Sequence, residues 1–445
     1  MDFINETRGV WAVVPDAIWD GTKKFVQRAV IVEGDRIGGV VETSKLGNIP
    51  RKELPGCTLI PGLIDAHVHL SRWMLPAFLA AGVTTVRDVG NDLEWVLNQR
   101  KVTFQNPQIG PTIFCCGPAL DGAVVNWTRI SRRHQDGTDI AQSVQNLFDS
   151  GVDAIKLYVN LTKEQIASAV SVAHRLKISV LAHLGEVNAL DASELGVDEI
   201  EHLSGCIHHE HGGVSPYTDP AYLTRCINTF LKNRTTMCPT LVVWDRLSRI
   251  NDAVFPNDKR LEWVHPTLKT AWTQFPHRFI DPKLRLSRQT SLITMKNALR
   301  EMWFSGCQIV AGTDTPWPYV IPGFGLHDEL ALAVDAGVSP PEALRMATLN
   351  AAAVLGLEGV AGVITPGAVA DLVAVEGDPT EDITDLSNVQ WVSHRGESVQ
   401  REKLVIQRES EFESEPNDAI TELILGVART QILPTSPEIL FIGNQ

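Results

Sequence analysis

The sequence has no apolar run approaching the ~18–20 residues of a membrane span, no Cys-x-x-Cys pair, and little aromatic content. Its start, Met1 to Glu6, carries neither a basic stretch nor an apolar core, so no signal peptide is expected. Positive charge is also short: the formal net charge is −14, which argues against nucleic acid and anionic membrane as partners. The seven cysteines are an odd number, and most lie in apolar segments (Cys57, Cys115, Cys116, Cys238, Cys307). They read as buried thiols of a reducing compartment, and a soluble cytoplasmic protein is expected. A chain of 445 residues can bury a large core and hold more than one domain, although an α/β barrel can absorb most of that length.

What is present centres on Leu59-Ile60-Pro61-Gly62-Leu63-Ile64-Asp65-Ala66-His67-Val68-His69. On a strand, Asp65, His67 and His69 share one face while Ile64, Ala66 and Val68 share the other. Two imidazoles on one face at a strand end can bind one divalent metal. Alone, the motif is equally compatible with two structural histidines.

Residues 9–58 read as short strands with turns at Asp20-Gly21, Glu33-Gly34-Asp35 and Gly38-Gly39. The same texture returns near the C-terminus at Ala370–Val375, Val389–Ser393 and Lys403–Ile406. Neither end has enough strands to bury a sheet face, so 1–58 and 366–408 are expected to join in one small β-sandwich domain. Between them, 59–365 alternate β and α, with strands near 59–65, 83–88, 111–116, 153–158, 179–183, 198–202, 236–242 and 308–313. Helices are expected over Trp73–Ala81, Asp139–Ser150, Thr162–Leu176 and Pro220–Lys232, the third opened by a Thr162/Gln165 capping box. The fold class is therefore α/β: a TIM (β/α)8 barrel with its active site at the C-terminal strand ends. Residues 409–418 are acidic and expected to be solvated, and 419–425 to dock a short helix on the barrel or a neighbouring subunit.

The ionisable residues fall where a barrel would collect them. Strand four carries Lys156 and Tyr158 on the inward face, and a lysine there needs a partner. Strands five, six and eight end in His183, Glu201-His202 and Thr313-Asp314. Polar groups converging from five strand tips point to a metal site rather than to packing.

In that order and context the sequence resembles the amidohydrolase superfamily, in its carboxylated-lysine, binuclear imidazolonepropionase-like and prolidase-like branch. The resemblance covers about 15–400 and rests on Pro61–His69, Ile155–Leu157, Ala182-His183, Ile200–His202, Ala311–Asp314, Leu326–Leu330 and Gly367–Val373. It implies one metal on His67, His69 and Asp314, a second on His183 and His202, and a carbamate of Lys156, formed with CO2, bridging the two. Zinc suits the His-rich set. The implied reaction is attack of a metal-bridging hydroxide on the amide (C–N) bond of a small molecule, with Asp314 as proton shuttle. Candidate substrates are an N-acyl amino acid, a dipeptide-like molecule or a cyclic amide.

Around that centre, Tyr158 is a candidate donor to the carbonyl oxygen, and His327, opening a helix after strand eight, is a further catalytic candidate. Asn126, Trp127 and Arg129 follow strand three. Arg129 belongs to a cationic cluster suited to a substrate carboxylate, while Asn126-Trp127 stands where prolidase-like relatives carry a Gly-Gly-His segment. Trp244 and Trp317 could wall an apolar pocket. His208–His211 reads as exposed loop, and the long 243–307 stretch as a lid or oligomer contact, with a homo-oligomer expected. Three other classes share these features: a lactonase or esterase, a mononuclear deaminase, and a non-catalytic barrel scaffold. The inward lysine argues against the deaminase, and the complete ligand set against the scaffold.

Overall fold

The computed structural model describes residues 9–430 except 126, 204, 208–218, 275–281, 415 and 417. Five strands open the chain: β1 (Val10–Trp19), β2 (Lys24–Val26), β3 (Arg28–Glu33), β4 (Arg36–Glu42) and β5 (Arg51–Pro61). The first hairpin closes where the Asp20 carboxylate accepts the backbone N–H of Thr22 and Lys23, both at 2.7 Å. The central stretch supplies β6 (Leu63–Val68), β7 (Val83–Asp88), β8 (Thr112–Cys115), β9 (Ala119–Asp121), β10 (Ser131–Arg133), β11 (Ala154–Leu157), β12 (Ser179–Ala182), β13 (Glu199–Glu201) and β14 (Thr236–Cys238). Near the C-terminus come β15 (Leu372–Glu376), β16 (Val389–His394) and β17 (Glu397–Ser398).

The two chain ends meet in one sheet of order β17-β16-β15-β5-β1-β3-β4, with β2 on β1. The junction is the antiparallel pair β5/β15, with Pro61 opposite Leu372 and Ile60 opposite Val373. The described strands of both ends form one continuous sheet. Its second layer is the central domain. Ile60, Val373, Val375 and Val392 point into the large central core. The opposite face, with Trp11, Leu59, Leu372, Ala374 and Trp391, is closed by Ile364, Ala368 and Ala370 from the preceding connection.

The central strands form two parallel sheets, β6-β7-β8 and β10-β9-β11-β12-β13-β14. Residues 308–313, expected as the eighth strand, carry only isolated bridges. Met237 pairs with Ile309 on one side, and Val68 with Thr315 on the other. The N–H groups of Thr313 and Asp314 both donate to the His67 carbonyl, at 3.1 and 2.8 Å, and Asp314 turns to φ 56°. A ladder cannot continue through that bend.

Helices fill the connections: α1 (Leu75–Ala80), α2 (Leu93–Gln105), α3 (Gly137–Asp149), α4 (Lys163–Leu176), α5 (Ala189–Glu194), α6 (Pro220–Asn233) and α7 (Leu241–Ser248). They continue with α8 (Pro266–Gln274), α9 (Pro282–Phe304), α10 (Phe324–Asp335), α11 (Pro340–Met346), α12 (Leu349–Val354), α13 (Arg401–Phe412) and α14 (Ala419–Thr430). The Thr162/Gln165 capping box opens α4 as expected. Lys403–Ile406, expected as β, lies in α13 instead. The Val405-Ile406 pair is β-prone, but Arg401–Lys403 and Gln407–Glu411 are helix formers, and over twelve residues they prevail while Leu404 anchors the helix in the core. Part of the acidic segment also belongs to α13, where Glu411 accepts from Arg72 Nε at 2.8 Å. The 243–307 stretch carries α7, α8 and α9, and Phe275 and Phe279 fall outside the described residues. Among the described residues no helix is long and apolar enough to cross a membrane.

Trp391 on β16 meets Trp11 on β1 edge to face, ring centroids 6.0 Å apart, so the chain ends share one core. Trp391→Ala is expected to destabilise the protein by roughly 3–5 kcal/mol, as for other buried aromatic truncations. Hydrogen exchange should quicken in β1 as well as in β15–β17; protection lost only after residue 372 would refute the shared core.

Candidate metal centre

Parallel strands deliver the polar side chains to one end of the domain. Asp65 and His67 lie on β6, with His69 one residue beyond its end, and Lys156 lies on β11. His183 follows β12, His202 follows β13, and Asp314 sits in the segment that bridges β14 to β6. His202 takes φ 64° immediately after Glu201, and that left-handed turn lets two consecutive residues of β13 both serve the interior. Gly312 permits the closest approach: a Cβ there would lie 2.5 Å from His67 Cβ and 2.6 Å from Cys238 Sγ.

Asp314 is the hub. Its Oδ1 lies 3.4 Å from His67 Nε2 and 3.3 Å from His69 Nε2, and its Oδ2 lies 3.9 Å from His202 Nδ1. Two imidazoles are held from behind, His67 Nδ1 by Glu201 Oε2 at 2.6 Å and His69 Nδ1 by the Gly90 carbonyl at 2.9 Å, while the His202 Nδ1 that faces Asp314 also meets Thr240 Oγ1 at 2.7 Å. Such outer partners fix ring orientation and tautomer. Burial alone would raise the Asp314 carboxyl, yet hydrogen bonds from His67 and His69 and the charge on His67 hold it well below the usual carboxylate range. Burial, reinforced by His183, keeps His202 far below its ordinary value and hence neutral, the form a metal needs. His67, His202 and Asp314 offer ligand atoms within 4.8 Å of one another. The ring of His183 packs 4.3 Å from that of His202 and 4.9 Å from that of Tyr158.

Beneath this layer lies a buried charge network. Arg87 donates from both terminal nitrogens to Glu199 and from Nε to the Ala66 carbonyl at 2.8 Å. Glu201 lies 3.5 Å from Lys156 Nζ and 4.0 Å from Arg87 Nη2, besides its bond to His67. Lys156 Nζ has that ion pair but no hydrogen bond among the described residues. Asp65 ties β6 to the Asp314 segment, accepting from Thr313 N at 3.0 Å and Thr313 Oγ1 at 2.7 Å. Burial pushes its carboxyl up to about 7.

His67, His69, Lys156, His183, His202 and Asp314 all line one cavity of about 750 Å³, joined by Trp127, Tyr158 and Trp317. Trp127 Nε1 donates to the Tyr158 hydroxyl at 2.6 Å. The other expected site residues lie elsewhere. Trp244 is buried in α7, away from the cavity lining. Arg129 reaches outward to Glu422 of α14 at 2.5 Å. His327 is buried in α10 with Nε2 on the Ala81 carbonyl at 2.8 Å, outside the lining. Neighbouring Glu329 accepts from Leu241 N and Val242 N, at 3.0 and 2.7 Å, and so caps α7. Asn126 and His208–His211 lie outside the described residues.

Sequence reasoning missed Arg87, Glu199 and Thr240, and treated Glu201 only as part of a motif. A signal existed in β13, where Glu199 and Glu201, two apart, share the inward face and require buried cations. Missed too were Ile420, Leu423 and Ile424 of α14, which line the cavity.

Removing the Glu201 charge strands three cationic or protonatable neighbours in a dry interior. Glu201→Leu is expected to cost about 3–5 kcal/mol in urea unfolding, and near-parental stability would show the network to be dispensable. For His327, burial lowers the imidazole from 6.5 to about 4. Between those values the unfolded chain binds a proton that the folded chain refuses. Its contribution is therefore complete above pH 6.5 and falls by about 3 kcal/mol as pH drops to 4. His327→Gln should flatten that part of the stability–pH curve, and identical slopes would assign the acid lability elsewhere.

Comparison with known proteins agrees with this arrangement. The model of the Amidohydrolase family matches residues 58–397. An adenine deaminase of Thermosipho africanus (strain TCF52B) is 23% identical over 369 residues, covering 80% of this chain but only 53% of that protein. The chain thus spans about half the length of that curated relative. Among solved structures, a Xaa-Pro dipeptidase with bound methionine superposes with TM-score 0.70 at 20% identity, covering 88% of this chain and all of that one. A bottromycin amidohydrolase gives TM-score 0.72 at 23% identity, over 92% and 91% of the two chains. At such identities the likeness establishes the fold alone. With the family model spanning three quarters of its length, and the histidines, lysine and aspartate gathered at one strand end, this chain belongs to the Amidohydrolase family.

Proposed function

We propose that the protein hydrolyses an amide C–N bond of a small molecule, on a (β/α)8 barrel whose eighth strand is the bridged 308–315 segment. Two divalent ions, zinc by ligand chemistry, would be held by His67, His69 and Asp314 and by His183 and His202, with a carbamate on Lys156 between them. The observation that carries this reading is the convergence on Asp314 of the His67 and His69 imidazoles, already oriented from behind by Glu201 and the Gly90 carbonyl. The donor set fits metal. Lys156 Nζ, buried and without a hydrogen bond among the described residues, fits conversion to an anionic two-oxygen ligand.

Bound there, the ions would supply a Lewis acid and a water of lowered pKa. The chain's own residues do the rest. Asp314 accepts a proton at a carboxylate oxygen and returns it to the leaving amine nitrogen. The Tyr158 hydroxyl, oriented by the Trp127 indole, donates to the carbonyl oxygen as charge develops. The apolar cavity wall excludes bulk water from these groups.

Purified protein supplied with zinc and bicarbonate is expected to hold about two ions per chain, and a stoichiometry of one with unmodified Lys156 would defeat the binuclear reading. Asp314→Asn should keep the fold and part of the metal while kcat falls roughly 10²–10⁴-fold. Lys156→Ala should lose metal and be partly rescued by acetate or propionate. Parental turnover by fully metallated Asp314→Asn would remove Asp314 as the shuttle.

A further inference from the structure

Helix α14 contributes Ile420, Leu423 and Ile424 to the cavity lining, together with Trp127, Ile130 and Trp317. Ile420 and Ile424 are buried, so the helix is packed down rather than leaning on the surface. Its N-terminal end is anchored: Ser71 hydrogen-bonds Asp418 and lies 3.1 Å from Thr421 Oγ1, while Thr421 N donates to Asp418 at 2.9 Å. On the outer side Glu422 takes the Arg129 guanidinium.

That ion pair has a chemical consequence. Arg129 was the cation best suited by sequence to hold a substrate carboxylate, and it is turned to the helix. Arg132 and Arg133 on β10 are exposed, and only Ser131 of that strand reaches the lining. Among the described lining residues the formally charged groups are Lys156 and Asp314, both already given to the proposed metal site. Apart from the proposed ligands, the lining is apolar except for the Tyr158 phenol, the Trp127 and Trp317 indoles and Ser131, whose buried hydroxyl has no partner among the described residues. A carboxylate held against this wall, away from the proposed metal site, would lose its hydration without a cation from the described lining, whereas an apolar chain or ring gains from the same burial.

We infer that the substrate is a neutral, largely apolar amide, and that α14 is the wall that selects it. This rests on the hydrolytic reading above and deepens it. Ser131 is assigned as the neutral hydrogen-bonding contact to the part of the substrate beyond the scissile bond, and Ile420, Leu423 and Ile424 as the specificity-determining surface.

The test uses full-length, zinc-loaded protein and two matched probes, an N-acylphenylalanine with a free carboxylate and its neutral N-methylamide. Binding is followed by titration calorimetry, and hydrolysis is measured on the same samples. The methylamide is expected to bind at least about tenfold more tightly than the acid. Leu423→Ala and the milder Ile424→Val should weaken its binding, the former roughly tenfold, with unchanged metal content. Leu423→Arg should shift the preference toward the acid. Equal or tighter binding of the acid overturns the inference, as do helix variants that fold yet bind the methylamide like the parent. A neutral preference in binding with no cleavage of either probe instead strikes the hydrolytic reading and leaves the selectivity of the cavity standing.

Discussion

Everything at the site depends on a requirement imposed by the dry interior: each buried charge must find its counter-charge within a few ångströms. Glu201 meets that requirement for His67 directly and for Lys156 at longer range, and Glu199 meets it for Arg87. These residues come from β6, β7, β11 and β13, so the pairing that neutralises them also sets the relative positions of four strands. Orientation follows from the same contacts. His67 cannot turn its Nε2 away from Asp314 without breaking its bond to Glu201. The site is therefore preorganised by electrostatics that extend one layer below the residues that would touch a substrate.

A second constraint is the way both chain ends are used. The N-terminal strands cannot bury their faces alone, and β15 completes the sheet against β5 while the central core covers its inner face. The chain then doubles back. α13 packs on the 72–80 region, with Arg72 held by Glu411, and α14 continues into the cavity lining, with its outer face fastened by Arg129. Scaffold and cavity wall are thus built from one C-terminal passage. The first half of that passage closes the sheet and the second half walls the site.

The sequence carried the chemistry because the chemistry is local. His67 and His69 share a face by the two-residue period of a strand, Lys156 on β11 and Tyr158 just beyond its end do likewise, and Thr162 with Gln165 spells the start of α4 within four residues. Seven of the eight central strands fall close to where their β-rich runs suggest. The eighth does not, because the bend at Asp314 is set by hydrogen bonds to His67, some 240 positions earlier. The β-prone Val405-Ile406 pair masks the helix-forming flanks that carry it into α13, and nothing near Arg129 signals that it will meet Glu422 rather than a ligand. The lone β13 face, with Glu199 and Glu201, showed that cations must lie opposite but not that Arg87 and Lys156 would be those cations. What the sequence by itself determined is the set of reactive groups and the elements bearing them, since periodicity and capping act over a few residues. What only the tertiary structure decided is who partners whom: the single sheet from two ends, the charge pairs under the site, and the apolar helix lining it. Those outcomes are chosen by burial and counter-charge between segments hundreds of residues apart, where no local pattern can record them.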